Sequence, residues 1–149
     1  MKLQFEQIHS DFPYQLLLLA DETQEAIDRY LFKSEVFLVK WNSENVGVFC
    51  LYEINSQTLE LKNIAVAETH QNQGLGRKIL EYIKEISKLK YQKIIVGTGD
   101  SSFLQIRFYE RNGFKKFGIR ENFFLENYPE PIIENGVQLK DMVLLKFEF

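Results

Sequence analysis

The chain has 149 residues, of which 45% are hydrophobic and 26% charged, and its net charge is −3. That length fits a single domain over 1–149 with a sizeable core, and the absence of a basic run excludes a nucleic-acid or anionic-membrane binder. One cysteine, Cys50, rules out an internal disulfide and a cysteine-based zinc site. No apolar run approaches the ~20 residues of a membrane span, and the polar opening is unlike a signal peptide, so a soluble, cytoplasmic setting is expected.

Residues 2–8 alternate apolar and polar, which predicts a first strand with Leu3, Phe5 and Ile8 inward. Asp11 and Pro13 read as the cap and first turn of a helix whose buried part is 16–20. A second helix begins at Asp21, with Ile27, Tyr30 and Leu31 on one face. Residues 34–40 and 46–54 predict a hairpin closed at 42–45. Cys50 lies in its second arm and reads as a buried, inert thiol. After a turn at 55–57, residues 58–66 form the central strand. Leu75, Ile79, Leu80, Ile83, Ile86 and Leu89 recur every three or four positions, so 74–89 is the clearest helix. Its other face, with Arg77, Lys78, Lys84, Glu85 and Lys88, should be solvated. A short apolar strand at 93–97 follows, suited to cover on both faces. Then come a helix at 101–111 stopped by Asn112 and Gly113, and a strand at 114–119. A mixed, proline-broken stretch covers 123–134, Asn135 and Gly136 turn, and the last strand is 140–149. That strand is a candidate for pairing across a homodimer. The fold class is α+β (α/β/α), with a mixed sheet and helices on both faces.

A buried strand feeding a glycine-opened helix offers free backbone N–H groups and the positive end of a helix dipole, a site for a phosphate-bearing ligand. The P-loop pattern is absent. The dinucleotide pattern fails because Ile79 stands where its third glycine is required, and Ser102 fails it again after Gly97 and Gly99. What fits is Gln71-Asn72-Gln73-Gly74-Leu75-Gly76, of the form Q/R-x-x-G-x-G/A, set between strand and helix. Downstream, Phe108-Tyr109-Glu110-Arg111-Asn112-Gly113-Phe114 ends a helix with an aromatic-Tyr-Glu-x-x-Gly-Phe pattern.

In these two motifs the sequence resembles the GNAT superfamily of acetyl-CoA-dependent N-acetyltransferases, by motif over about 35–119 and by element order throughout. Gly97 to Ser102, Asn122-Phe123-Phe124, Asn127 to Ile132 and Asn135-Gly136 resemble a branch of small bacterial members. The resemblance implies a mostly antiparallel sheet of about seven strands whose central pair splays. It gives the pyrophosphate of acetyl-CoA to the backbone N–H groups of Gln71, Asn72, Gln73, Gly74, Leu75, Gly76 and Arg77, where glycine lets the backbone approach closely. It gives the pantetheine amides to the backbone of Ile64, Ala65 and Val66, as an added strand would take them. Gly97 and Gly99 would ease the splay by tolerating a bulge.

Tyr109 is the implied general acid for the departing thiolate; the alternative is a core tyrosine. Glu60 is either a general base or a solvated edge residue. Strand alternation sets it on the side of Ile64 and Val66 unless a bulge intervenes. A base on the following strand, found in other members, is absent, because Gly97 stands there. Ser101 and Ser102 occupy the place of a common asparagine contact to the cofactor. They can hydrogen-bond it or cap the helix. His9 and His70 have no metal-ligand spacing.

The reaction implied is direct acetyl transfer to an amine. Glu126, Glu130, Glu134 and Asp141 make the C-terminal segment acidic and Phe123, Phe124 and Tyr128 make it aromatic, a lining suited to a small cationic acceptor; the alternative is a solvated acidic loop. Acetylation of a protein amine and non-catalytic acyl-CoA sensing are the alternatives.

Overall fold

A computed structural model describes residues 2–149. The elements in chain order are β1 (Leu3–Ile8), α1 (Tyr14–Leu17), α2 (Gln24–Leu31), β2 (Glu35–Trp41), β3 (Glu44–Asn55) and β4 (Thr58–Val66). A single 3-10 turn (Glu68–His70) leads to α3 (Leu75–Ser87), β5 (Lys93–Gly99), α4 (Phe103–Arg111), β6 (Lys115–Arg120) and α5 (Phe123–Asn127). A two-residue hairpin, β7 (Ile133–Glu134) and β8 (Val137–Gln138), precedes β9 (Met142–Glu148). The seven-stranded sheet runs β1-β2-β3-β4-β5-β9-β6. Its one parallel pair is β4 with β5, joined by the α3 crossover that a parallel connection needs. The predicted sheet, with helices on both faces, is thus present.

Two apolar layers hold it. On one face Leu75, Ile79, Leu80 and Ile83 of α3, with Ile106 and Tyr109 of α4, pack on Val39, Phe49, Leu59, Leu61 and Val96. At about 1.5–3 kcal/mol per buried side chain, the four α3 anchors contribute roughly 6–12 kcal/mol as an upper bound. On the other face Leu17 of α1 and Ile27 and Leu31 of α2 cover Val36, Val48, Cys50 and Ala65. Cys50 is fully buried, and burial pushes its thiol up to about 12, so it is the inert thiol expected.

Several local expectations change. Asp11 takes a positive φ of 53° and caps nothing; α1 starts at Tyr14 after Pro13 and lasts one turn, which leaves Leu18 and Leu19 exposed. The second helix is capped by Thr23, whose Oγ1 accepts from Ala26 N at 3.1 Å, and so starts later than Asp21. Ile8 sits with the α1/α2 layer, on the opposite face from Leu3 and Phe5, as its even position on β1 requires. Helix α3 ends at Ser87, which leaves Leu89 beyond it and exposed; Ile86, within the last turn, is exposed as well. Lys84 is not on a solvated face: its Nζ donates to Asn112 O at 2.5 Å and lies 4.1 Å from the Phe147 ring centre, and burial lowers its pKa. Strand β9 pairs with β5 on one side and β6 on the other, so its backbone has no free edge for a partner copy. No helix among the described residues is long and apolar enough to cross a membrane.

Candidate active site

The sheet opens where its parallel pair ends. Strand β4 pairs with β5 only over Thr58 to Leu61, opposite Lys93 to Val96. The cause lies on the other side of β4. Against β3, Cys50 faces Asn63 while Leu51 faces Leu61, so Lys62 is an extra residue. An extra residue bends and over-twists its strand, and β4 turns away from β5 at that point. Strand β5 itself stays straight, in unbroken register with β9 through Gly97 and Gly99. The expected bulge is therefore in β4, not at those glycines. Their role is packing: a Cβ on Gly97 would come within 2.8 Å of Met142 Cγ, and one on Gly99 within 2.6 Å of Ser102 Oγ.

Gly97→Ala should therefore destabilise the fold by about 1–3 kcal/mol and push Met142 toward the cleft. Adding Met142→Ala should recover at least half of that loss in thermal denaturation. An unrecovered loss would refute the packing role.

The cleft between the splayed strands is a cavity of about 780 Å³. Ile64, Ala65 and Val66 line one wall, with no ladder partner on the β5 side. The loop 71–74 lies at its end. Asn72 (φ 60°) and Gly74 (φ 81°) take left-handed conformations, and Gln71 Nε2 donates to Val66 O at 2.9 Å, tying loop to strand. The backbone of α3 closes its first turn with Lys78 N on Gly74 O at 3.2 Å, so the N–H groups of Leu75, Gly76 and Arg77 have no acceptor within the helix. Nothing lies within 4 Å of where a Gly74 Cβ would point, whereas one on Gly76 would press on Phe108 at 3.1 Å. Gly74 thus supplies the turn and an open approach, and Gly76 lets α3 meet α4. Gln71, Asn72, Gly74, Leu75, Gly76 and Arg77 border the cavity. Gln73 turns aside, its amide 3.4 Å from Thr69 O, and the Arg77 side chain reaches out to Glu81 at 3.4 Å. This combination of unspent donors, a helix N-terminus and an unpaired strand edge fits a pyrophosphate carrying an amide-bearing arm.

Tyr109 is buried on α4 and borders the same cavity. Its ring stacks edge-on with Phe108 and Phe114, at centroid distances of 5.2 and 5.5 Å. Burial alone raises its pKa well above 10, with no charge or hydrogen bond contributing, so the hydroxyl is protonated and uncommitted. Ser102 also lines the cavity, but its Oγ donates to Glu134 Oε2, and Ser101 Oγ donates to Glu134 O at 3.1 Å. Neither serine side chain caps α4.

Glu60 lies on the other face. The bulge at Lys62 inverts the alternation, so Leu59 and Leu61 share the α3 layer with Ile64 and Val66, while Glu60 falls on the α1/α2 side with Asn63 and Ala65. It is neither solvated nor at an edge. Buried on β4, it accepts from Arg120 Nη1 and Nη2, both at 3.2 Å, and from Lys62 Nζ at 3.3 Å. It borders a second chamber of about 280 Å³, which shares Asp21, Leu61, Lys62, Gly97, Tyr128 and Met142 with the main cleft. Tyr109 and Glu60 therefore face the strand gap from two adjoining spaces.

Of the rest of this chamber, the aromatic lining expected from the C-terminal segment is present in Phe123 and Tyr128, but its polar network was missed. Asp21 accepts from Tyr128 Oη at 2.5 Å and Tyr30 Oη at 3.0 Å, and Asn63 Nδ2 donates to Tyr30 Oη at 3.1 Å. Arg29 Nη1 donates to Asn127 O at 3.0 Å. These contacts span up to 107 positions, so no local pattern announces them. The one available signal was the pair of charges Glu60 and Lys62 within a mostly buried strand. The acidic lining expected from the C-terminal part does not form. Glu126 and Glu130 are exposed, Asp141 Oδ1 accepts from Asn122 N at 2.8 Å, and only Glu134 reaches the cleft.

Residues 33–116 match the family model described as an acetyltransferase (GNAT) domain. A GNAT family acetyltransferase from Elizabethkingia anophelis, solved with acetyl-CoA bound, superposes with a TM-score of 0.94 at 45% identity, covering 99% of this chain and 98% of that one. YvbK, an uncharacterized N-acetyltransferase of Bacillus subtilis, is 38% identical over 146 residues, 97% of this chain and 94% of its own. The ribosomal protein bS18-alanine N-acetyltransferase of Escherichia coli is 32% identical over 80 residues, 53% of this chain and 54% of its own. With the 71–77 loop, the splayed pair and the helix-borne tyrosine in place, the chain belongs to the GNAT acetyltransferase family and is an acetyl-CoA-dependent acetyltransferase.

Proposed function

We propose that the protein moves the acetyl group of acetyl-CoA directly onto a primary amine of a small molecule. The cofactor pyrophosphate lies on the N–H groups of the 71–77 loop, and the pantetheine arm runs along Ile64, Ala65 and Val66. The amine enters from the 280 Å³ chamber on the other side of the gap. An ammonium loses one proton, either to Glu60 or through water. Its nitrogen then forms the bond to the acetyl carbon and gives up its second proton to water, the C–S bond breaks, and the thiolate takes a hydrogen bond and then a proton from the Tyr109 hydroxyl. Solvent restores that proton, so one proton is released per turnover.

The observation that carries this reading is the adjoining pair of cavities, with a free phenol in one and a held carboxylate in the other. A small acceptor is favoured over a peptide by the clasp across the chamber. Tyr128 on Asp21 and Asn127 on Arg29 fasten the α5 segment to the loop before α2 and to the last turn of α2. A peptide needs an open groove at that place. The test is CoA release across polyamines, amino acids, aminoglycosides and short peptides. Turnover of a free small amine at least tenfold better than of any peptide is expected. Release only with peptides would reverse the choice of acceptor, and release with none, despite acetyl-CoA binding, would favour a sensor.

A further inference from the structure

We infer that the acceptor carries a carboxylate beside its amine, as an amino acid does; the inference rests on the acetyl-transfer reading above. Arg29, Lys33 and Lys62 all border the 280 Å³ chamber, against the carboxylates of Asp21 and Glu60. The anions do not use up the cations. Glu60 is held by Arg120 bidentately before Lys62 joins it, so Lys62 is in excess there. Its ammonium lies 5.9 Å from the Tyr30 ring centre and 5.6 Å from that of Tyr52, held at the wall of the chamber. Lys33 has no carboxylate within 4.0 Å among the described residues, and the only carboxylate near Arg29 is Glu25, at 3.6 Å on the exposed helix surface.

Asp21 has no cation within 4.0 Å among the described residues. Its oxygens take two phenols and the Glu22 N–H at 2.8 Å. It also borders both cavities, so it stands at the gap where the amine must arrive. The chamber thus has an anionic end at the gap and a cationic surplus beyond it. A simple polyamine would place its second ammonium among Lys62, Lys33 and Arg29, where like charges repel. A carboxylate there gains charge-assisted hydrogen bonds in a partly enclosed site.

The test compares amino acids with their decarboxylated amines, such as phenylalanine with phenethylamine and glutamate with 4-aminobutyrate. It uses the intact protein and its Lys33→Met and Arg29→Gln variants. Wild type should show kcat/KM at least tenfold higher for the α-carboxylated member of each pair. In the variants that ratio should fall three- to tenfold, through KM for the carboxylated member. Equal or better turnover of the decarboxylated amines, or a ratio the variants leave unchanged, overturns the inference while acetyl transfer stands. Should no amine release CoA, calorimetry of the amino acids against the CoA-loaded protein decides: binding keeps the carboxylate site and rejects the catalytic reading, and absence of binding rejects both.

Discussion

Replacing Tyr109 by Phe should lower kcat about 10²-fold, with acetyl-CoA affinity and thermal stability unchanged. The separation of these effects follows from the surroundings of the ring. Its packing against Phe108 and Phe114 survives the substitution, because only one oxygen is removed. That oxygen adds no hydrogen bond to the fold, and burial alone raises its pKa. The phenol therefore enters each turnover protonated at neutral pH. A thiol resembling that of cysteine has a pKa of about 8.5, below that of even an unperturbed phenol at about 10. The first task of the hydroxyl is thus to donate a hydrogen bond as charge develops on sulfur; full transfer follows as solvent replaces the proton. Pre-steady-state measurement of CoA release, beside a binding titration, checks this. Turnover within threefold of wild type would remove Tyr109 from the mechanism. A matching loss of melting temperature would make it a core residue.

The scaffold was legible because its determinants are local. The 3–4 spacing of Leu75, Ile79, Leu80 and Ile83 marks α3, the apolar run within 46–54 marks β3, and the glycine loop and the segment around Tyr109 are contiguous motifs. The central strand was read over the same residues it occupies, Thr58–Val66. What was not legible depends on register. A single extra residue at Lys62 turns Glu60 to the opposite face from Ile64, and nothing in the order of side chains along β4 announces it. The cause is the pairing with β3, where Cys50 and Leu51 skip one residue. The acceptor chamber was hidden for a similar reason. Asp21, Tyr30, Glu60, Arg120 and Tyr128 come from five separate elements or loops, and each alone looks like an ordinary polar or aromatic residue. Short elements failed too: α1 is one turn long, too short for periodicity to show where Leu16 to Leu19 point.

Glu60→Gln should lower turnover about 10²-fold at pH 7, with the deficit shrinking as the pH is raised toward the acceptor's own pKa, about 10 for an alkyl ammonium. The pH dependence separates a base from an anchor. A base is needed only while the amine is protonated, so at high pH the free amine attacks unaided and the variant approaches wild type. An anchor is needed at every pH. Glu60 performs some anchoring in any case: it accepts from Arg120 twice and from Lys62 once, joining β6 to β4 across the sheet order. A carboxylate has about four acceptor positions, so about one remains for a proton or a bridging water. Glutamine keeps the volume and one acceptor oxygen. The fold should therefore lose only about 1–3 kcal/mol, as for a charged hydrogen-bond partner made neutral, and remain folded for assay. Arg120→Gln is the matched control. It removes the bidentate hold but leaves the carboxylate, and should cost stability by a similar amount with a smaller loss of turnover, about tenfold or less. A turnover deficit in Glu60→Gln that stays constant from pH 7 to 10, matched by Arg120→Gln, would assign the pair to structure and leave deprotonation to water.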